Sequence, residues 1–192
     1  MQQALQQPNT SPQQWVELTA QDSVWVKAMA YATPNNFLHQ SVYPCDRCLL
    51  RHETALRLYA VAQTLRQQGY RLVLFDCYRP WRVQKKMWQL MPNPDYVADP
   101  RKGSMHNRGI AVDIGVASPD GQLLDMGTPF DTFSPMSHHD AAGIRPEIAS
   151  RRKWLKELME SNGFKALRSE WWHYALRQFQ GECLLHRDVT SG

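Results

Sequence analysis

An aspartate stands inside an apolar run. The stretch "GIAVDIGV" (residues 109–116) sets Asp113 among Ile110, Ala111, Val112, Ile114 and Val116. Short, apolar and rich in β-branched residues, it reads as a buried strand. A carboxylate buried there without a partner costs several kcal/mol. The fold must therefore bring Asp113 a cation, a hydrogen-bond donor or a metal. Side chains alternate along a strand, so Ile110, Val112, Ile114 and Val116 share a core-facing side. Ala111, Asp113 and Gly115 share the other side, where two tiny residues leave open space beside the carboxylate, as suits a cleft. His106 stands just before the strand, and Asn107-Arg108-Gly109 can make the turn that brings it back over the sheet. A surface histidine and an Asp113–arginine pair would fit the same two residues.

The stretch "RSEWWHY" (168–174) adds Glu170 and His173. Catalytic zinc takes imidazole and carboxylate ligands, usually three from the protein, and leaves the fourth position to water. His106, Asp113 and His173 make such a set, and Glu170 is then free as a general base. On a regular strand, however, residues 170 and 173 point to opposite faces. Both reach one water only if the strand ends or bulges there. Trp171 and Trp172 also read as core packing.

The remaining pattern is that of one domain. The 192 residues suffice for a sizeable core. Helices are expected at 51–68, about 81–91 and 146–161, the last with Trp154, Leu155, Leu158 and Met159 as a core-facing stripe and a charged outer face. Strands are expected at 71–78, 109–116 and 169–176. Without a regular βαβ repeat, this order predicts an α+β fold with a mainly antiparallel sheet and flanking helices. Residues 1–22, opening with the Gln- and Pro-rich "MQQALQQPNTSPQQ", read as a loose tail, and 23–192 as the domain. The opening lacks the basic and apolar regions of a signal peptide, which makes the chain cytoplasmic as given, or periplasmic if a leader has been removed. No stretch is long and apolar enough to span a membrane. The net charge of +4 is scattered without aromatic interleaving, which argues against a nucleic-acid partner. Cys45 and Cys48 form one C-x-x-C, with Cys77 and Cys183 elsewhere. A structural zinc site would need a second pair. Buried thiols, disulfides and a redox pair stay open.

Taken together, S-x-H-x₆-D in "SMHNRGIAVD" and E-x-x-H in "EWWH" resemble the VanX-type D-alanyl-D-alanine dipeptidases. These are zinc peptidases sharing a fold with D,D-carboxypeptidases and hedgehog domains. The stretches "YATPNNFLHQSVYP", "RCLLR", "FDCYRPWRVQKKMW", "DMGTPFD" and "SHH" follow that family's order, so the resemblance covers roughly residues 24–176. It implies one zinc per chain on His106, Asp113 and His173, with Glu170 as catalytic base. It implies that Arg79 polarises the scissile carbonyl, that Asp131 faces the substrate ammonium group, and that Ser104 and Ser137 touch the substrate. The loop 117–145 would then restrict the cleft to small peptides. The implied activity is hydrolysis of D-Ala-D-Ala in bacterial cell-wall metabolism or glycopeptide resistance. The alternative is a zinc D,D-carboxypeptidase acting on larger peptidoglycan peptides. A non-catalytic metal-binding module would need neither Glu170 nor Arg79. The chain departs from the family pattern just after Asp113, where "IGV" replaces a common Leu-Thr pair, and in the tail after residue 177.

Overall fold

The computed structural model describes residues 11–19 and 24–179. Its strands are β1 (Trp15–Leu18), β2 (Trp25–Lys27), β3 (Cys48–Arg51), β4 (Arg71–Asp76), β5 (Ala111–Ala117), β6 (Phe164–Ala166) and β7 (His173–Leu176). Its helices are α1 (His52–Gln67), α2 (Trp81–Leu90) and α3 (Pro146–Ser161), with short 3-10 turns at Ala30–Ala32, His106–Arg108 and Pro135–Ser137. The main sheet has the order β2-β4-β5-β7-β6, while β1 and β3 make a separate antiparallel pair. Within the main sheet β2 runs parallel to β4, and the other three pairings are antiparallel. The expected α+β fold with a mainly antiparallel sheet is what the chain adopts. No helix among the described residues is long and apolar enough to cross a membrane.

Helix α1 buries Ala55, Leu58, Val61, Ala62 and Leu65, the spacing of one helical face. Strand β5 lies at the centre of the main sheet, and all seven of its residues are buried. Its second face therefore lacks the open space expected at Gly115. The Phe75 ring fills it, so close that an added Cβ would lie 2.8 Å from that ring. The strand expected at 169–176 is shorter, because residues 169–172 form turns and only His173–Leu176 pair.

The loose tail expected over 1–22 needs correcting in part. Trp15–Leu18 pairs with Cys48–Arg51. Trp15 packs edge-on against Tyr78 and lies under the Arg51 guanidinium, 4.1 Å from its ring centre. It also lies over Gly109, whose φ of +70° suits glycine and where a Cβ would come within 2.4 Å of the indole. Residues 1–10 and 20–22 fall outside the described residues, as does Cys183.

The C-x-x-C is split. Cys48 forms a disulfide with Cys77 across 29 residues, and Cys45 is a free, exposed thiol. Closing a loop of that size stabilises a fold by about 3–4 kcal/mol in the chain-entropy account.

Helix α3 also differs from its reading. Although the sequence suggests that its charged residues face outward, Arg152 is buried. Its spacing from Ile148, Leu155 and Met159 puts it on their face. There its Nε donates to the Met126 carbonyl at 2.7 Å and its Nη1 to the His138 carbonyl at 2.7 Å. One guanidinium thus ties the long loop before α3 to the helix. Arg152→Ala strands both carbonyls and is expected to lower the unfolding free energy by about 2–4 kcal/mol, read from urea midpoints. A variant within about 0.5 kcal/mol of the parent would show that the loop is held by other means.

Candidate metal and active site

Three neighbouring strands bring charge to one level of the sheet. Asp76 ends β4 opposite Asp113 in β5, just past a register shift after Leu74. His173 opens β7 on the other side of Asp113. His106 comes down from the 3-10 turn before β5, which Gly109 closes in the left-handed region.

The side chains converge tightly. Asp113 Oδ1 lies 2.9 Å from His173 Nδ1 and 3.2 Å from His106 Nε2. The two ring nitrogens are 3.1 Å apart. His106 Nδ1–H donates to the Cys77 carbonyl at 2.7 Å, which fixes the tautomer and leaves the Nε2 lone pair facing the cluster. Two imidazole nitrogens and a carboxylate oxygen facing one another could hold a cation between them. This donor set fits zinc. One nitrogen from each imidazole and one Asp113 oxygen all lie within 4.8 Å of one another. Burial lowers the proton affinity of His106, but Asp113 and Asp76 more than offset it, and its pKa ends raised. Burial pushes His173 down. Asp113 would rise on burial, yet His106 and His173 hold it far below the usual carboxylate range.

Glu170 stands beside these three residues, lining one space with His106 and His173 and another with Asp113. It lies in the turn before β7, where its N–H donates to Leu167 and its carbonyl accepts from His173, both at 3.3 Å. The strand thus begins at 173, which removes the conflict between 170 and 173. Glu170 is 5% exposed, and its Oε1 is buried with no protein partner. Burial, then the charge of Asp113, pushes its carboxyl well above the ordinary range. A buried carboxyl with an oxygen left for water is placed to exchange a proton with it.

Arg79 is held from three sides. Its Nε and Nη2 donate to Asp76 Oδ2 at 3.0 and 2.8 Å, and its Nη1 donates to Gln84 Oε1 at 3.0 Å. Nη2 also lies 3.7 Å from Asp113 Oδ2. Three of the five N–H donors are engaged, which leaves two for another group. Asp76, absent from the sequence reading, also accepts from the Tyr43 hydroxyl at 2.7 Å and from its neighbour's N–H at 2.9 Å.

Two spaces meet at Arg79, Tyr96 and Glu170. The outer one, about 270 Å³, reaches His106, His173 and Ser104. The inner one, about 20 Å³, reaches Asp113 and Asp131 and is walled by Tyr31, Phe37, Phe133 and Trp172. Asp131 sits at a φ of +62°. It accepts from the Tyr31 hydroxyl at 2.9 Å and from the Phe37 N–H at 3.4 Å. Burial, then the charge of Asp113, pushes its carboxyl up to about 7. The loop 117–145 thus contributes Asp131 and Phe133. A second wall comes from the 94–104 loop.

Ser104 lines the outer space and accepts the His106 N–H at 3.2 Å. Ser137 is not brought to the site. It is fully buried in the loop before α3, where its hydroxyl bonds with Thr128 and Thr132 and its carbonyl accepts the Trp171 N–H.

Comparison with known proteins shows the family. A family model described as Peptidase_M15, D-ala-D-ala dipeptidase, matches residues 19–188. The chain is 37% identical over 151 residues to the D-alanyl-D-alanine dipeptidase of Escherichia coli (strain K12), covering 78% of each chain. It is 36% identical over 168 residues to the D-alanyl-D-alanine dipeptidase of Enterococcus faecium, covering 77% of this chain and 83% of that one. A much looser likeness is to the vancomycin resistance D,D-pentapeptidase VanY E175A mutant in complex with Zn(II), with a TM-score of 0.41 and 18% identity over 67% of this chain and 73% of that one. That likeness is too distant to bear on the site. The family match and the relatives' coverage of both chains make this chain a member of the Peptidase_M15 D-ala-D-ala dipeptidase family.

Proposed function

We propose that the protein is a zinc-dependent dipeptidase that hydrolyses D-alanyl-D-alanine to two D-alanines in bacterial cell-wall metabolism or glycopeptide resistance. His106, Asp113 and His173 hold one zinc per chain. When bound there, zinc supplies Lewis acidity toward the scissile carbonyl and lowers the pKa of the attacking water toward neutrality. Glu170 takes a proton from that water as its oxygen bonds to the carbonyl carbon. Glu170 then delivers the proton to the leaving amine as the C–N bond breaks. The two free N–H donors of Arg79 bond to the carbonyl oxygen as it gains negative charge. Such a donor is typically worth about 2.7–4 kcal/mol in the transition state. Ser104 borders the substrate in the outer space. The geometry supports no substrate contact for Ser137, which instead holds the loop carrying Asp131.

The observation that carries the reading is Asp131 at the inner end of the site. A space of about 20 Å³ has room for one water-sized group. An ammonium group fits it, and the carboxylate rewards the charge. An acyl group on the same nitrogen would meet Tyr31, Phe37 and Phe133. N-acetyl-D-Ala-D-Ala is therefore expected to show a kcat/KM at least about 10-fold below that of the free dipeptide, a difference of about 1.4 kcal/mol. Asp131→Asn is expected to narrow the gap. Equal or better cleavage of the acetylated peptide would favour the D,D-carboxypeptidase alternative. The Cys48–Cys77 disulfide supports a periplasmic setting over a cytoplasmic one, because cytosolic thiol pools keep such pairs reduced.

A further inference from the structure

We infer that the Cys48–Cys77 disulfide is a positioning element for the metal centre, holding the carbonyl that orients His106 and the segment that carries Arg79. The inference rests on His106 being a metal ligand. The bond joins two layers of the fold, because Cys48 opens β3 in the small sheet and Cys77 follows the last residue of β4 in the main one. Strand β3 grips both halves of the site. The Leu49 carbonyl accepts the Tyr78 N–H at 3.0 Å, within the Cys77–Arg79 segment. The Arg51 N–H donates to the Gly109 carbonyl at 2.9 Å, and the Arg51 Nε to the Arg108 carbonyl at 3.1 Å, both in the turn that carries His106. The hydrogen bond from His106 Nδ1 to the Cys77 carbonyl closes this frame. Partners of this kind, one bond beyond the metal, govern both the orientation and the basicity of a ligand histidine.

Reduction would open the frame. Two electrons and two protons from a dithiol give two thiols, and the reductant leaves as its own disulfide. Both sulfurs belong to fully buried residues, so the exchange requires the small sheet to open first. The site would then keep its ligands but lose the fixed acceptor behind His106.

The test compares the oxidised protein with the same chain reduced by a phosphine. A phosphine is preferred because a dithiol would itself bind zinc. As the sulfurs are reduced, the phosphine takes an oxygen from water. The zinc dissociation constant is measured by competition with a chromogenic chelator, alongside the urea midpoint of each metal-free form and solvent exchange of the His106 ring proton. Reduction, and the double variant Cys48→Ala with Cys77→Ala, are each expected to raise the zinc dissociation constant by about 10–100-fold in folded protein. The ring proton should exchange faster in both. An unchanged dissociation constant in folded, reduced protein overturns the inference. So does unfolding of both reduced forms, which would make the bond a stabilising element alone. Zinc retained by His106→Ala in the oxidised chain would instead overturn the ligand set itself.

Discussion

Replacing Glu170 by glutamine is expected to lower kcat on D-Ala-D-Ala by about 10²–10⁴-fold while the protein still binds one zinc per chain. The substitution keeps size and shape, so the walls formed with Tyr96 and Trp172 should stand. What it removes is a group able to accept a proton and return it. The wild-type carboxyl is buried, faces the negative charges of Asp113 and Asp131, and has one oxygen without a protein partner. An amide in that place can hold a water but cannot deprotonate it. KM should change little, because Glu170 makes no contact that the substrate alone requires. Steady-state kinetics beside metal analysis decides the matter. If the glutamine variant loses its zinc, Glu170 is a ligand and another group is the base.

His106→Ala, Asp113→Ala and His173→Ala are each expected to weaken zinc binding by more than the 10–100-fold typical of a lost outer partner. Each variant should emerge from dialysis with well under one metal per chain and without measurable turnover. The three candidate ligand atoms stand at 2.9–3.2 Å from one another, so each variant leaves only two of the set in place. Zinc should also raise the unfolding midpoint of the parent, by an amount corresponding to about 2.7 kcal/mol at 100 times the dissociation constant. It should do little for the variants. Full metal occupancy in all three would reject the ligand set.

The site was legible in the sequence where a charge sits against its local grain. Asp113 in an apolar strand demanded a partner, and His106 and His173 proved to be adjacent to it. The same argument applies to Asp76 at the end of "RLVLFD", three residues before Arg79. The pairing of Asp76 and Asp113 across β4 and β5 depends on register, which no local pattern encodes. Tertiary partners hid other features too. The space beside Gly115 looked open because the Phe75 ring that fills it comes from the neighbouring strand. Strand β1 is four residues long in a Gln- and Pro-rich context, and only β3 makes it a strand. The spacing of four cysteines does not choose a pairing, whereas the fold brings Cys48 and Cys77 together with their Cα atoms 5.2 Å apart. Arg152 looked like surface charge because nothing in α3 announces the two loop carbonyls it serves.

The packing of Trp15 on Gly109 means that the recognisable unit and the folded unit have different edges. The family match begins at residue 19, one residue after β1 ends. A chain trimmed to the recognisable unit would keep every proposed ligand, base and wall. It would nevertheless lose the indole that seats the turn behind His106 and the strand that covers β3. An engineer who trims this chain by homology alone therefore cuts into the packing behind the proposed metal site.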